Sequence, residues 1–144
     1  MSPRDINMNE ITPEFRRKAE EIFDTIPFVK LLGMKLGELA PGEASMSVAL
    51  REDLMRHMGL LHGGVTASLI DSATAFAVAT LLGEGEHAVT VDLTIHYLRP
   101  VTEGQVRCEA RVLRAGKRLL TVSAEVFNDQ DKLIATALTT YSKI

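Results

Sequence analysis

The chain has 144 residues, 46% of them hydrophobic, which is enough for one domain with its own core and too few for two ordinary ones. A formal net charge of -3, no tryptophan and only 5% aromatic residues exclude a general nucleic-acid binder, which needs a basic face and stacking side chains. The single cysteine, Cys108, and the lack of a Cys/His cluster at zinc spacing exclude an internal disulfide and a structural zinc site. With a polar N-terminus and no apolar run near the roughly 20 residues of a bilayer span, the expectation is a soluble cytoplasmic protein.

In chain order, Thr12 and Pro13 read as the cap and first residue of an amphipathic helix. Its apolar stripe is Phe15, Ala19, Ile22, Phe23 and Ile26, and it ends at Pro27. Residues 1–26 are thus a helical extension of a single domain spanning 1–144. From Leu32 to Leu50 the pattern shortens to two strands, with glycines at 33, 37 and 42. His62 to about Leu82 is the longest helical candidate, and its apolar residues surround the axis, as in a helix buried on most sides. Four alternating segments follow: Val89/Val91/Leu93/Ile95/Tyr97, Val106/Cys108/Ala110/Val112, Leu120/Val122/Ala124/Val126 and Leu133/Ala135/Ala137/Thr139/Tyr141. Short turns between them suggest an antiparallel meander, and the simplest packing is an α+β fold in which one curved sheet wraps one helix.

The central helix carries the chemistry. Its start at Gly63 and Gly64 exposes unpaired N–H groups that favour an anion or a developing oxyanion, although two glycines also suit a tight turn or close packing. Asp71 is the one carboxylate on this helix, on a face shared with Ala67, Ser68, Thr74, Ala75 and Val78. A carboxylate there is either bonded to Ser68 or Thr74, turned to solvent, or functional. At 1.5 Å and 100° per residue, Gly63 and Asp71 stand about 12 Å apart and about 80° around the axis. One carbonyl cannot touch both within a chain, but two such helices antiparallel across a twofold axis bring Gly63 of one chain to Asp71 of the other.

The segments PFVKLLGM, LHGGVTASLIDSA, VTVDLTIHYLRPVTEG and VLRAGKRLLTVSAEV, in that order, resemble the hot-dog-fold thioesterases of the phenylacetate-degradation type over roughly residues 27–141. The resemblance implies hydrolysis of acyl-CoA thioesters by dimers that usually pair into homotetramers. It implies that the Gly63 N–H forms an oxyanion hole and that Asp71 of the facing subunit is general base or nucleophile. Thr90 helps position the water, and His62 is an accessory residue fixing the loop or the carbonyl. Relatives often carry an Asn six residues before the HGG histidine; Arg56 stands there in this chain, as an alternative donor or turned away.

Substrate binding is assigned to Arg56, Gly64 and Ser68, and the CoA phosphates to Lys117 and Arg118, with Arg99 and Arg114 as weaker candidates. Ala67, Ser68, Val78 and Met58 are candidates for the acyl pocket. No metal and no cofactor is expected beyond the CoA moiety of the substrate, and neither nucleic acid nor a membrane is an expected partner. Two alternatives stay open: a hydratase or dehydratase on the same fold, with His62 as its histidine, and a non-catalytic acyl-thioester-binding protein.

Overall fold

The structure is a computed structural model and describes residues 10–144; the first nine residues of the N-terminal extension lie outside it. Thr12 Oγ1 accepts the Phe15 N–H at 3.0 Å and Pro13 fills the first turn, so the first helix, α1, runs Pro13–Thr25. It buries Ala19 and Phe23, and the Phe23 ring meets Phe76 edge-on at 5.7 Å. Ile22, placed by its spacing on the apolar stripe, instead faces outward at 57% exposure, because the contact surface is narrowed to the Ala19/Phe23 line.

Pro27 does more than end α1. As an N1 residue it starts a second short helix, α2 (Pro27–Leu32), which Gly33 closes in the left-handed conformation at φ 72. Strands β1 (Lys35–Ala40) and β2 (Glu43–Ala49) form the expected hairpin, turning at Gly42. Residues 52–61 hold two single helical turns and a two-residue ladder between β3 (Met55–Arg56) and β4 (Leu60–Leu61). The central helix α3 spans Gly63–Ala79, followed by β5 (Ala88–Tyr97), β6 (Gln105–Ala115), β7 (Leu119–Phe127) and β8 (Leu133–Lys143).

The six long strands make one antiparallel sheet in the order β1-β2-β6-β7-β8-β5. The meander expectation therefore holds for β6, β7 and β8 but not for β5, which pairs with β8 and forms an edge. Because β2 already occupies the other side of β6, the chain must leave β5 and cross to the middle of the sheet. The crossing segment, residues 98–104, is anchored where Leu61 N–H donates to Val101 O at 2.8 Å and Leu50 N–H to Gly104 O at 2.8 Å.

The core lies between the concave face of the sheet and α3, where Leu69, Ile70, Ala73 and Ala77 are fully buried against rows such as Val106/Cys108 and Val122/Ala124. Thr74 and Val78 belong to this core as well, so they do not share the open face with Asp71, and Val78 lines no acyl pocket. The side of α3 left partly open is the stripe Gly64, Ala67, Ser68, Asp71, Ser72 and Ala75. A hundred-degree period explains the difference: residues three and seven beyond Asp71 fall about 60° and 20° to the same side of its direction, and the curved sheet covers that flank.

Strand β5 departs from simple alternation. Its register against β8 slips between Thr90 and Asp92, with Thr90 opposite Tyr141 and Asp92 opposite Thr140, so Val91 is an inserted bulge residue. The slip reverses the facing of everything before it: Leu93, Ile95 and Tyr97 share the inner row with Thr90, while Val89 and Val91 are exposed. The expected Val89-to-Tyr97 row therefore does not exist as one face. Asp92 holds the bulge, its backbone carbonyl accepting from buried Thr139 Oγ1 at 2.6 Å and its Oδ1 accepting Thr140 N–H at 3.0 Å.

Leu69→Ala, which empties a fully buried site on α3, should lower unfolding stability by about 2–5 kcal/mol, whereas Ile22→Ala should change it by about 0.5 kcal/mol or less. Urea denaturation of both variants measures the contrast.

Candidate active site

The site residues fall into two groups at opposite ends of the helix-facing sheet surface. At the start of α3, His62 is the N-cap: its Nδ1 accepts the Gly64 N–H at 2.8 Å, which fixes the neutral ring with its proton on Nε2. This explains Gly64, since a Cβ there would stand 3.0 Å from the same Nδ1. The Gly63 N–H has no hydrogen-bond partner among the described residues. Tyr97, on the inner row of β5, lies against this turn and donates its hydroxyl to Gly63 O at 2.8 Å. A side chain on Gly63 would touch the Tyr97 ring at 3.4 Å and close the approach to the free N–H.

A groove of about 520 Å³ opens at this helix end, within the range of small-ligand sites. It is lined by Gly63, Gly64 and Thr66 of α3, by Arg56 and Leu60, and by the crossing segment from Leu98 to Val101. The displaced β5 thus supplies, through its connection, a wall that a simple meander would not have. Arg56 and Arg99 both border the groove, Arg99 tied to Leu133 O at 2.8 Å. Met58, in the loop between β3 and β4, has φ 74 and is 75% exposed, so it packs against no acyl pocket within this chain. Ser68 commits its proton to Gly64 O at 2.7 Å.

Two turns farther along α3, Asp71 and Thr90 come together within one chain: Thr90 Oγ1 donates to Asp71 Oδ1 at 2.8 Å. The bulge at Val91 makes this contact, because it turns Thr90 inward. Tyr141 of β8 completes the cluster, its hydroxyl 2.8 Å from Asp71 O, 3.3 Å from Asp71 Oδ1 and 2.8 Å from Thr74 Oγ1. Sequence reasoning placed Tyr141 on an inward row and stopped there; the signal was a hydroxyl in a row otherwise meant for alkyl groups. Burial pushes the Tyr141 phenol up to about 12, so it stays protonated and able to donate. Neither Asp71 nor Thr90 lines the groove at the helix start.

Lys117 and Arg118 sit exposed in the β6–β7 turn. The sheet row Ala115, Leu120, Tyr141 and Thr90 links that turn to the Asp71 end. Tyr97 marks the other end, six ladder steps from Thr90 along β5 once the bulge is set aside, or about 20 Å. Within one chain, therefore, the two cations go with Asp71 and Thr90, and not with Gly63 and Arg56. No group of three or more potential metal-ligating side chains is present among the described residues, and no helix of the structure is long and apolar enough to cross a membrane.

A helix sheathed by one curved antiparallel sheet is the hot-dog fold. The chain belongs to the thioesterase superfamily, whose family model matches residues 58–135, and it is a thioester hydrolase of the PaaI-like type. It is 31% identical to the human acyl-coenzyme A thioesterase 13 over 131 residues, 89% of this chain and 93% of that protein. Among solved structures it is similar to the phenylacetic acid degradation protein PaaI of Thermus thermophilus, with TM-score 0.76 and 34% identity over 83% of this chain and 100% of that one. The Escherichia coli PaaI protein superposes with TM-score 0.83 at 26% identity, covering 90% of this chain and 92% of the other.

Replacing His62 by Ala removes the cap of α3 and should lower stability by about 1 kcal/mol, with His62→Asn recovering most of it. Chemical denaturation of the two variants checks this.

Proposed function

We propose that the protein hydrolyses a small to medium acyl- or aryl-CoA thioester, with each active site built across a twofold axis from Gly63 of one chain and Asp71 of the other. The observation that carries this reading is the Thr90–Asp71 hydrogen bond at 2.8 Å, which holds a carboxylate on the open face of an otherwise apolar helix. The thioester carbonyl lies at the Gly63 N–H, where the helix N-terminus stabilises the developing oxyanion. Asp71 takes a proton from water as the oxygen of that water adds to the carbonyl carbon. The C–S bond then breaks and the departing thiolate takes the proton from Asp71, giving free acid and CoA. Thr90 keeps its lone pairs available to orient the water, because its proton is engaged with Asp71.

The twofold arrangement is supported by two features. The open stripe of α3 consists of small residues around Asp71, so a second helix can approach closely. The outer edge of β5, with Val89 and Val91 exposed, is an unpaired strand edge that a monomer would leave bare. In such a dimer Lys117 and Arg118 of the chain that provides Asp71 stand ready for the CoA phosphates, while Arg56 and Arg99 flank the carbonyl end. The arrangement suits a cytoplasmic homodimer that pairs again into a homotetramer.

A panel of acyl- and aryl-CoAs, followed by free-thiol release, tests the reaction. Asp71→Asn should lower kcat by about 10²-fold or more, and thiol release at the wild-type rate by that variant would remove Asp71 from the mechanism. Thiol-free conversion of an enoyl-CoA would instead identify a hydratase, and saturable binding without turnover a sensor.

The shared site has its own test. Gly63→Pro deletes the one N–H at a helix position that tolerates proline. When inactive Asp71→Asn and Gly63→Pro chains are unfolded, mixed in equal amounts and reassembled, half the dimers are mixed and each holds one intact site. Activity should return to about a quarter of wild type. No recovery would place both groups in one chain's site.

A further inference from the structure

We infer that Tyr141 is a positioning residue of this hydrolase, its hydroxyl acting with that of Thr90 to hold Oδ1 of Asp71 and leave Oδ2 as the reacting oxygen. The inference rests on the assignment of Asp71 as the reacting carboxylate. Its starting point is a proton count. Three short oxygen–oxygen contacts, Tyr141 to Asp71 O, Tyr141 to Thr74 and Thr74 to Ile70 O, each at 2.8 Å, share only two hydroxyl protons. The phenolic proton faces a carbonyl oxygen and a charged carboxylate oxygen of Asp71 at once, a stronger acceptor pair than a neutral threonine hydroxyl. It therefore goes to Asp71, and the Thr74 proton serves Ile70 O and the phenol oxygen.

Oδ1 of Asp71 then receives Thr90 from β5 and Tyr141 from β8, two donors from adjacent strands. Oδ2 makes no hydrogen bond among the described residues, and Asp71 is partly exposed on the open side of α3. Two fixed donors on one oxygen leave the carboxylate little freedom to rotate, which is what a base aimed at a single water requires. Tyr141 itself is only 2% exposed and cannot reach a substrate directly.

Among the described residues no other titratable group bonds this carboxylate. Among the inner rows of β2, β6 and β7 the one titratable side chain is Cys108, buried and pushed up to about 12. On β5, Asp92 turns outward to the Thr140 N–H and Tyr97 is bonded to Gly63 O; at the end of β8, Lys143 is paired with Glu86 at 3.1 Å.

Tyr141→Phe keeps the ring and removes one oxygen, and Thr74 keeps its bond to Ile70 O, so the variant should fold with a Tm close to wild type. Its kcat for acyl-CoA hydrolysis should fall about ten- to a hundredfold, the effect of one hydrogen bond to a charged group, with KM unchanged. Thr74→Val disturbs the same buried cluster without removing the donor to Asp71 and should lose far less. In the Asp71→Asn background, Tyr141→Phe should change the residual rate less than twofold, because there is no charged base left to position. Wild-type kcat in Tyr141→Phe alongside a disabled Asp71→Asn overturns this inference and leaves the base assignment standing. So does an equal loss in both backgrounds, or an equal loss from Thr74→Val. Wild-type kcat in Asp71→Asn overturns the base assignment and this inference with it.

Discussion

The constraint on which the rest of the structure depends is that α3 cannot stand in water. Seventeen residues with Leu69, Ile70, Ala73, Ala77 and Val78 spread around most of the axis expose apolar surface on nearly every side. A flat sheet touches one side of a helix, so the sheet must curve, and six strands are enough to reach around both flanks. What it cannot reach is the narrow stripe of Gly64, Ala67, Ser68, Asp71, Ser72 and Ala75, whose small side chains expose little apolar area each. The polar groups of the candidate site that α3 supplies lie on that stripe and at the helix start, which the wrapping leaves partly open.

Placing hydroxyls at the border of such a core is costly unless each finds a partner. The protein solves this locally. Thr74 bonds the preceding helical turn, Tyr141 reaches across from β8 to Asp71, and Thr139 caps the distorted carbonyl of Asp92. Among the described residues no buried side-chain polar atom is left without a hydrogen bond. Thr74, Tyr141, Asp71 and Thr90 thus form one connected set running from helix to strands, and its members restrain one another.

Much of this was legible in the chain. The all-round apolar pattern announced a wrapped helix, period two announced the strands, and the HGG start with a carboxylate nine residues after the histidine, read beside the downstream segments, announced the hot-dog enzyme class. Three things were hidden, each for a physical reason. Pro27 reads equally as a stop and as a start, and only the left-handed Gly33 six residues on shows that a helix lies between. Strand order is a property of which edge is already taken, so β5 could not be seen to skip past β6 and β7 to the far side of β8. The bulge at Val91 leaves no mark, because Val-Thr-Val-Asp alternates well as a regular strand; the shift is revealed only by what Tyr141 and Thr140 face across the ladder.

That bulge has an implication for how the protein tolerates change. The facing of Thr90 is determined by its pairing register against Tyr141, and only secondarily by the identity of the residues between it and Leu93. Val91 is exposed and inserted, so a chain lacking it would pair regularly and still set Thr90 opposite Tyr141 on the inner row. The contact is lost instead if Val91 is kept and the bulge is not: regular pairing would then place Val91 opposite Tyr141 and turn Thr90 to the convex side in one step. Register at one point of an edge strand is here as much a part of the candidate site as any functional group.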